Sequence, residues 1–108
     1  MRQKIILSPT ARYLNLIADD ADEVHILLNS KTGPFTVVLP SANGTMKREL
    51  IFKNIGTYNV VISALSGDYI DNVKQWIVGP TDCLRVWSDL AGTWWVLGFY
   101  TTAIVLPI

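Results

Sequence analysis

Turn-forming residues at short, regular intervals constrain this chain more than any other feature. Ser88-Asp89-Leu90-Ala91-Gly92-Thr93 separates the apolar run Cys83 to Trp87 from Trp95 to Leu97. Two such runs joined by Asp and Gly read as a β-hairpin, because Gly supplies the positive φ that a reversal needs. Gly79-Pro80, Ser66-Gly67-Asp68, Gly56-Thr57 and Asn43-Gly44 interrupt further runs, so turns recur about every ten residues, as in sandwiches and small barrels. No stretch carries the 3.6-residue period of a helix, and Val, Ile, Thr and aromatics dominate. The fold is predicted to be all-β: a small antiparallel β-sandwich or barrel-like module of about eight to ten short strands.

The chain is 108 residues long, which bounds it to one domain. Strands are predicted at Lys4 to Leu7, Arg12 to Ala18, Val24 to Leu28 and Phe35 to Leu39. Leu50 to Lys53 and Tyr58 to Ile62 flank Asn54-Ile55-Gly56-Thr57 and read as a second hairpin. Ile70, Gln75 to Val78, Leu84 to Trp87, Trp94 to Phe99 and Thr102 to Leu106 supply the rest. Within the domain, residues 1–30 carry N-terminal docking strands and an acidic loop, 31–98 the main module, and 99–108 an apolar C-terminal strand.

Leu27, Val38, Ile51, Val61 and Leu97 alternate with the residues assigned to the core. A lone antiparallel sheet should be polar on one side, so a second apolar face implies further cover, in part from neighbouring subunits. The tail Ile104-Val105-Leu106-Pro107-Ile108 is expected to dock on its own sheet or a partner's sheet edge. Trp94 and Trp95 are adjacent and must point to opposite sides of a strand. The candidate interface residues are Trp94, Trp95, Phe99, Tyr100, Ile104, Val105, Leu106 and Ile108, since large aromatics anchor protein interfaces.

Half of the residues are hydrophobic and only 17% are charged, which is apolar for so small a chain and again points to surface buried between subunits. A membrane span is excluded on length: Trp94 to Ile108 is broken by Gly98, Thr101, Thr102 and Pro107. Nine basic and nine acidic residues are scattered with no basic stripe, so nucleic acid is not an expected partner. A lone Cys83, and an N-terminal apolar run ended by Ser8-Pro9, suit assembly in a reducing cytoplasm.

Candidate chemistry is sparse. His25, the only histidine, sits mid-strand between Val24 and Ile26, and Cys83 lies in an apolar strand. Cys83 would act as a nucleophile only with His25 beside it, and two N/S ligands do not make a zinc site. Asp19, Asp20, Asp22 and Glu23 lack the central Gly and alternating spacing of a Ca²⁺ loop. Asp68 and Asp71 read as turn residues that cap loop amides. Asn43-Gly44-Thr45 reads as a turn rather than a glycosylation site. The four tryptophans could stack on a sugar, but core and interface roles are favoured over glycan binding. No catalytic, metal or cofactor-binding residues are assigned.

Phe35-Thr36-Val37-Val38-Leu39-Pro40, Leu50-Ile51-Phe52-Lys53-Asn54-Ile55-Gly56, Asn59 to Ile62, Ser66-Gly67-Asp68-Tyr69-Ile70-Asp71, and Asp89 with Gly92 and Trp94 follow in that order. The series resembles a β-module of tailed-bacteriophage virion proteins, in which a TVTLP strand, an IKNxG turn, a VTI strand, an SGxxID turn and an SDGxxW hairpin succeed one another. The likeness covers roughly residues 35 to 97. It departs in the longer loop Asp89-Leu90-Ala91-Gly92 and in the bulkier strand Cys83 to Trp87. It implies a non-enzymatic, oligomeric, often trimeric module of head fibres, capsid decoration proteins, tail fibres or baseplates. The short chain, with no coiled-coil or collagen-like shaft, favours a capsid decoration or cement subunit. Its expected partners are copies of itself, as a homotrimer, and a larger virion protein such as the major capsid protein. Its expected location is the virion. A tail-fibre, baseplate or adaptor component, and a carbohydrate- or receptor-binding module, are the alternatives.

Overall fold

A computed structural model describes residues 2–10, 23–43 and 49–101, with side chains for 5–10, 24–43 and 49–101. These hold nine strands and no helix: β1 Arg2–Leu7, β2 Glu23–Leu28, β3 Phe35–Val38, β4 Glu49–Asn54, β5 Val60–Ser63, β6 Tyr69–Ile70, β7 Gln75–Val78, β8 Cys83–Ser88 and β9 Thr93–Tyr100. Strict alternation of buried and less buried residues in β4, β5 and β8 is the two-residue side-chain period of a pleated strand. The predicted strands at 12–18 and 102–106 fall outside the described residues.

The strands form two layers, a six-stranded sheet ordered β1-β2-β4-β8-β9-β6 and a three-stranded sheet ordered β3-β5-β7. The all-β, two-sheet expectation therefore holds, while strand pairing within it is mixed. β1, β2 and β4 run parallel, β3 and β5 run parallel, and β6 runs parallel to β9. The cause is a coiling path. The chain changes layer after β2, after β3 and after β4, so that Glu23 lies beside Glu49 and Phe35 beside Val60. It then reverses, laying β7 antiparallel on β5 and β8 antiparallel on β4.

One predicted hairpin is corrected by this path. β4 and β5 do not pair; residues 55–59 form an arch between layers. Gly56 is not among the positive-φ glycines, which among the described residues are Gly67 and Gly92. Its role is clearance: a Cβ there would lie 2.3 Å from the Ser30 carbonyl carbon and 2.6 Å from the Lys31 nitrogen of the neighbouring arch. The other predicted hairpin is present. β8 and β9 pair antiparallel, and Leu90 (φ 63°) and Gly92 (φ 97°) make the left-handed steps of the loop. The Asp89 carboxylate accepts hydrogen bonds from the Ala91 N–H at 2.7 Å and the Thr93 N–H at 3.1 Å.

The core lies between the layers. Val24, Ile26, Leu28, Leu50, Phe52, Leu84 and Val86 of the larger sheet meet Phe35, Val37, Val60, Ile62 and Val78 of the smaller, with Leu39 just beyond β3. All of these but Phe35 are 0% exposed, and each such side chain contributes about 1.5–3 kcal/mol by leaving water.

The same parity places Asn54 on the core side after Leu50 and Phe52, and it too is 0% exposed. Its amide donates to the Tyr58 carbonyl at 2.8 Å and the Val78 carbonyl at 2.9 Å. Its oxygen accepts the Gly56 N–H at 2.9 Å and lies 2.7 Å from the Ser30 hydroxyl. A buried amide is tolerated when its hydrogen-bonding capacity is met in this way. Asn54 thereby ties the two stacked arches together.

Candidate functional site

Residues that share a register position across neighbouring strands point to the same side, so the outer face of the six-stranded sheet can be read row by row. One row runs Ile6, Leu27, Lys53, Cys83, Tyr100; the next runs Lys4, His25, Ile51, Arg85, Gly98; the third runs Arg2, Glu23, Glu49, Trp87, Trp95. Ile6 is 59% exposed, Trp95 42% and Tyr100 58%, whereas Leu27, Ile51, Cys83 and Trp87 are half-buried. A register shift between Arg85 and Val86 passes over Leu97, and this bulge leaves Leu97 exposed. The result is a broad sheet face on which Ile6, Trp95, Leu97 and Tyr100 stand exposed, while the register positions of β1 and β2 include Arg2, Lys4 and Glu23. The charges among its described side chains are Lys53, His25 when protonated, and the Glu49–Arg85 pair, in which the guanidinium donates to one carboxylate oxygen at 2.5 and 3.1 Å.

Three aromatic positions of the face are held by local contacts. The Trp95 indole N–H donates to Asp89 Oδ2 at 2.9 Å, which fixes the ring beside the hairpin loop. Tyr100 folds back over Gly98, where a Cβ would lie 2.8 Å from its hydroxyl. Trp87 stands directly opposite Trp95 across the β8–β9 pair.

The predicted interface residues are divided by the structure. Trp94 belongs to the core: it is 1% exposed, and its indole N–H donates to the Pro40 carbonyl at 3.2 Å. Phe99 lies opposite Leu84 on the inner side and packs edge-on against Trp76 of β7, with ring centroids 5.6 Å apart, closing one end of the sandwich. Trp95 and Tyr100 alone share the outer face. Ile104, Val105, Leu106 and Ile108 lie outside the described residues. Ile6 of β1 belongs to the same face and was not singled out from sequence. Only the parallel β1–β2–β4 register brings it there, and no local pattern announces a parallel partner.

The residues weighed for chemistry are kept apart. His25 and Cys83 share the outer face, but β4 runs between their strands, a separation of about 10 Å. Burial pushes the Cys83 thiol pKa up, against a smaller opposing effect of Lys53 and Arg85, so the reactive thiolate is disfavoured. The carboxylates of Asp68 and Asp71 serve different segments, a loop amide for Asp68 and, unlike the expected loop cap, a β9 strand amide for Asp71. Asp68 accepts the Ala42 N–H at 2.8 Å and the Asn43 amide at 3.5 Å; Asp71 accepts the Val96 N–H at 2.8 Å. Asp89 sits below the ordinary aspartate range, chiefly because the Ala91 N–H donates to it, with Thr93 and the Trp95 indole adding to the effect. Among the described residues no three His, Cys, Asp or Glu gather at metal-binding distance, and no helix is long and apolar enough to cross a membrane.

A groove of about 330 Å³ on the smaller sheet is lined by Pro9, Pro34, Phe35, Thr36, Asn59 and Val61. Its only polar side chains are the Thr36 hydroxyl and the Asn59 amide, too few to fix the orientation of a small ligand. No protein-family description, curated protein or solved structure matches this chain.

Proposed function

We propose that this chain is a non-enzymatic structural subunit of a tailed-bacteriophage virion, one that decorates and cements the capsid. The observation that carries the reading is the outer face of the six-stranded sheet, where Ile6, Trp95, Leu97 and Tyr100 stand exposed together. Apolar area of this kind on a small domain is surface for a macromolecular neighbour. At about 25 cal/mol per Å² before ordering costs, a contact repeated over a shell resists internal pressure by avidity. A cement subunit needs only such contacts.

The residues shared with the phage module support the same reading. Asn54 and Gly56 join the arches, Asp68 and Asp89 hold loop amides, Asp71 holds the Val96 amide of β9, and Trp94 fills the core. Each is committed to shape. The natural partners are copies of the chain and a larger virion protein such as the major capsid protein.

The test is add-back: purified protein mixed with undecorated capsids should bind and raise their rupture temperature, and an absence of binding refutes the cement role. One observation favours a second reading, a glycan- or receptor-binding module. Trp87 and Trp95 are register neighbours on an accessible face, an arrangement on which a sugar ring can stack. That reading requires adsorption to host glycans that is lost in Trp95→Ala while the fold survives.

A further inference from the structure

We propose that Asn43 is a site of spontaneous covalent modification, where the side-chain amide cyclises onto the peptide nitrogen that follows it and hydrolyses to aspartate and isoaspartate. Asn43 takes no part in either sheet or in the core. Its place in the chain, directly before Gly44, gives it a chemistry of its own.

The reaction needs an unhindered nitrogen next in the chain and an amide free to turn toward it. Of the chain's asparagines only Asn43 precedes glycine, whose missing Cβ leaves the nitrogen open to approach. That nitrogen attacks Asn43 Cγ and gives up its proton. The Cγ–Nδ2 bond breaks, and ammonia departs with the proton, leaving a cyclic imide. Water then opens the imide at either carbonyl. One opening gives aspartate; the other gives isoaspartate, with the chain rerouted through Cβ. Water is the only reactant consumed and ammonia the only fragment released.

The second requirement is met by the surroundings of the side chain. Asn43 is exposed, and its amide donates to Asp68 Oδ1 at 3.5 Å. That is longer than a well-made N–H···O bond of about 2.7–3.2 Å, so little holds the side chain back. Asn54, by contrast, is 0% exposed and spends its amide on the Tyr58 and Val78 carbonyls. Asn59 and Asn72 each precede a valine, whose branched side chain crowds the nitrogen.

The product disturbs a junction of this fold. Asp68 is 3% exposed, and its other oxygen accepts the Ala42 N–H at 2.8 Å, fixing the loop after β3 to the turn before β6. A carboxylate at position 43 sets a second negative charge against that of Asp68, at a separation where like charges repel strongly. The Lys74 ammonium is already engaged by the Asp68 backbone carbonyl at 3.0 Å and by the Tyr69 ring. The same loop supplies the Pro40 carbonyl that receives the Trp94 indole N–H and the Ala42 carbonyl that receives the Ser88 hydroxyl. Modification therefore loosens a loop that holds the core tryptophan in place.

The experiment incubates the whole chain in warm, mildly alkaline buffer and follows its asparagines by peptide mapping after brief peptic digestion. Asn43 should gain the mass of an acid in place of an amide, as two separable isomers, while Asn54 stays unchanged. Gly44→Ala should slow the gain about tenfold, because a methyl then crowds the attacking nitrogen. An Asn43 that keeps its amide as long as Asn54 does, or a Gly44→Ala variant that loses it as fast as the wild type, overturns the proposal. For the consequence, Asn43→Asp should lower the urea midpoint further than Asn43→Ser, which removes the amide without adding charge, and the gap should narrow in high salt. Equal midpoints for these two variants overturn the charge clash with Asp68.

Discussion

Replacing Asn54 by Ala tests the junction on which the two stacked arches depend. The side chain is fully buried and engages four groups: the carbonyls of Tyr58 and Val78, the Gly56 N–H and the Ser30 hydroxyl. Truncation does not strand all four. The Ser30 hydroxyl lies 2.8 Å from the Tyr58 carbonyl and can turn its proton there, so that carbonyl keeps a donor. The Gly56 N–H loses its acceptor and the Val78 carbonyl loses a donor. At about 1–3 kcal/mol for each abandoned buried group, the expected loss is about 3–4 kcal/mol, a large share of a typical 5–15 kcal/mol. Ser30→Ala should cost less, about 1–2 kcal/mol, because the acceptors that lose the hydroxyl keep a donor each, the Asn54 amide for the Tyr58 carbonyl and the Gly56 N–H for the Asn54 oxygen, and the group that loses its acceptor, the Tyr58 N–H, made only a long 3.3 Å contact. The double variant should then cost more than the sum, since the Tyr58 carbonyl loses both donors at once. Urea unfolding followed by tryptophan fluorescence, with an unchanged m-value, measures all three. A loss below about 1 kcal/mol for Asn54→Ala, or a double variant no worse than additive, refutes the reasoning.

Gly56→Ala should destabilise by about 3 kcal/mol, since the added methyl meets backbone atoms of residues 30 and 31 that cannot turn aside; urea midpoints report it. Thr81 is β-branched at φ 66°, so Thr81→Gly should stabilise by about 1 kcal/mol in the same assay. The folded-state pKa of Asp89 is lowered, so its contribution is present above the ordinary aspartate range and is lost as pH falls through the folded value. The stability gap between the wild type and Asp89→Asn, followed by unfolding at stepped pH, should therefore shrink on acidification. Iodoacetamide should alkylate Cys83 more slowly in the folded chain than in the denatured one, because burial disfavours its thiolate.

The strand positions were legible because the two-residue period and the turn residues are local signals. Val24, Ile26 and Leu28 alternate inward, and Trp94 and Trp95 divide between core and surface as adjacency demands. The Asp89 hairpin was legible for the same reason. The arch at Asn54 to Thr57 was not, because Asn and Gly are also hairpin residues. Here Gly56 provides clearance for Ser30, 26 positions earlier in the chain, rather than a left-handed turn. Parity alone could have flagged Asn54, two residues beyond Phe52 on the core side.

Alternation and turn chemistry by themselves indicate an all-β chain and locate the strands found among the described residues. Those properties are written in neighbouring residues. Which strands lie side by side is decided by loop closure and by the fit of distant side chains, and only the tertiary structure shows it. The parallel stacking of β1, β2 and β4 brings Ile6 into one row with Tyr100, and the bulge at Leu97 turns Phe99 inward against Trp76. Residues scattered from 6 to 100 come to share one face through pairings that no local pattern encodes.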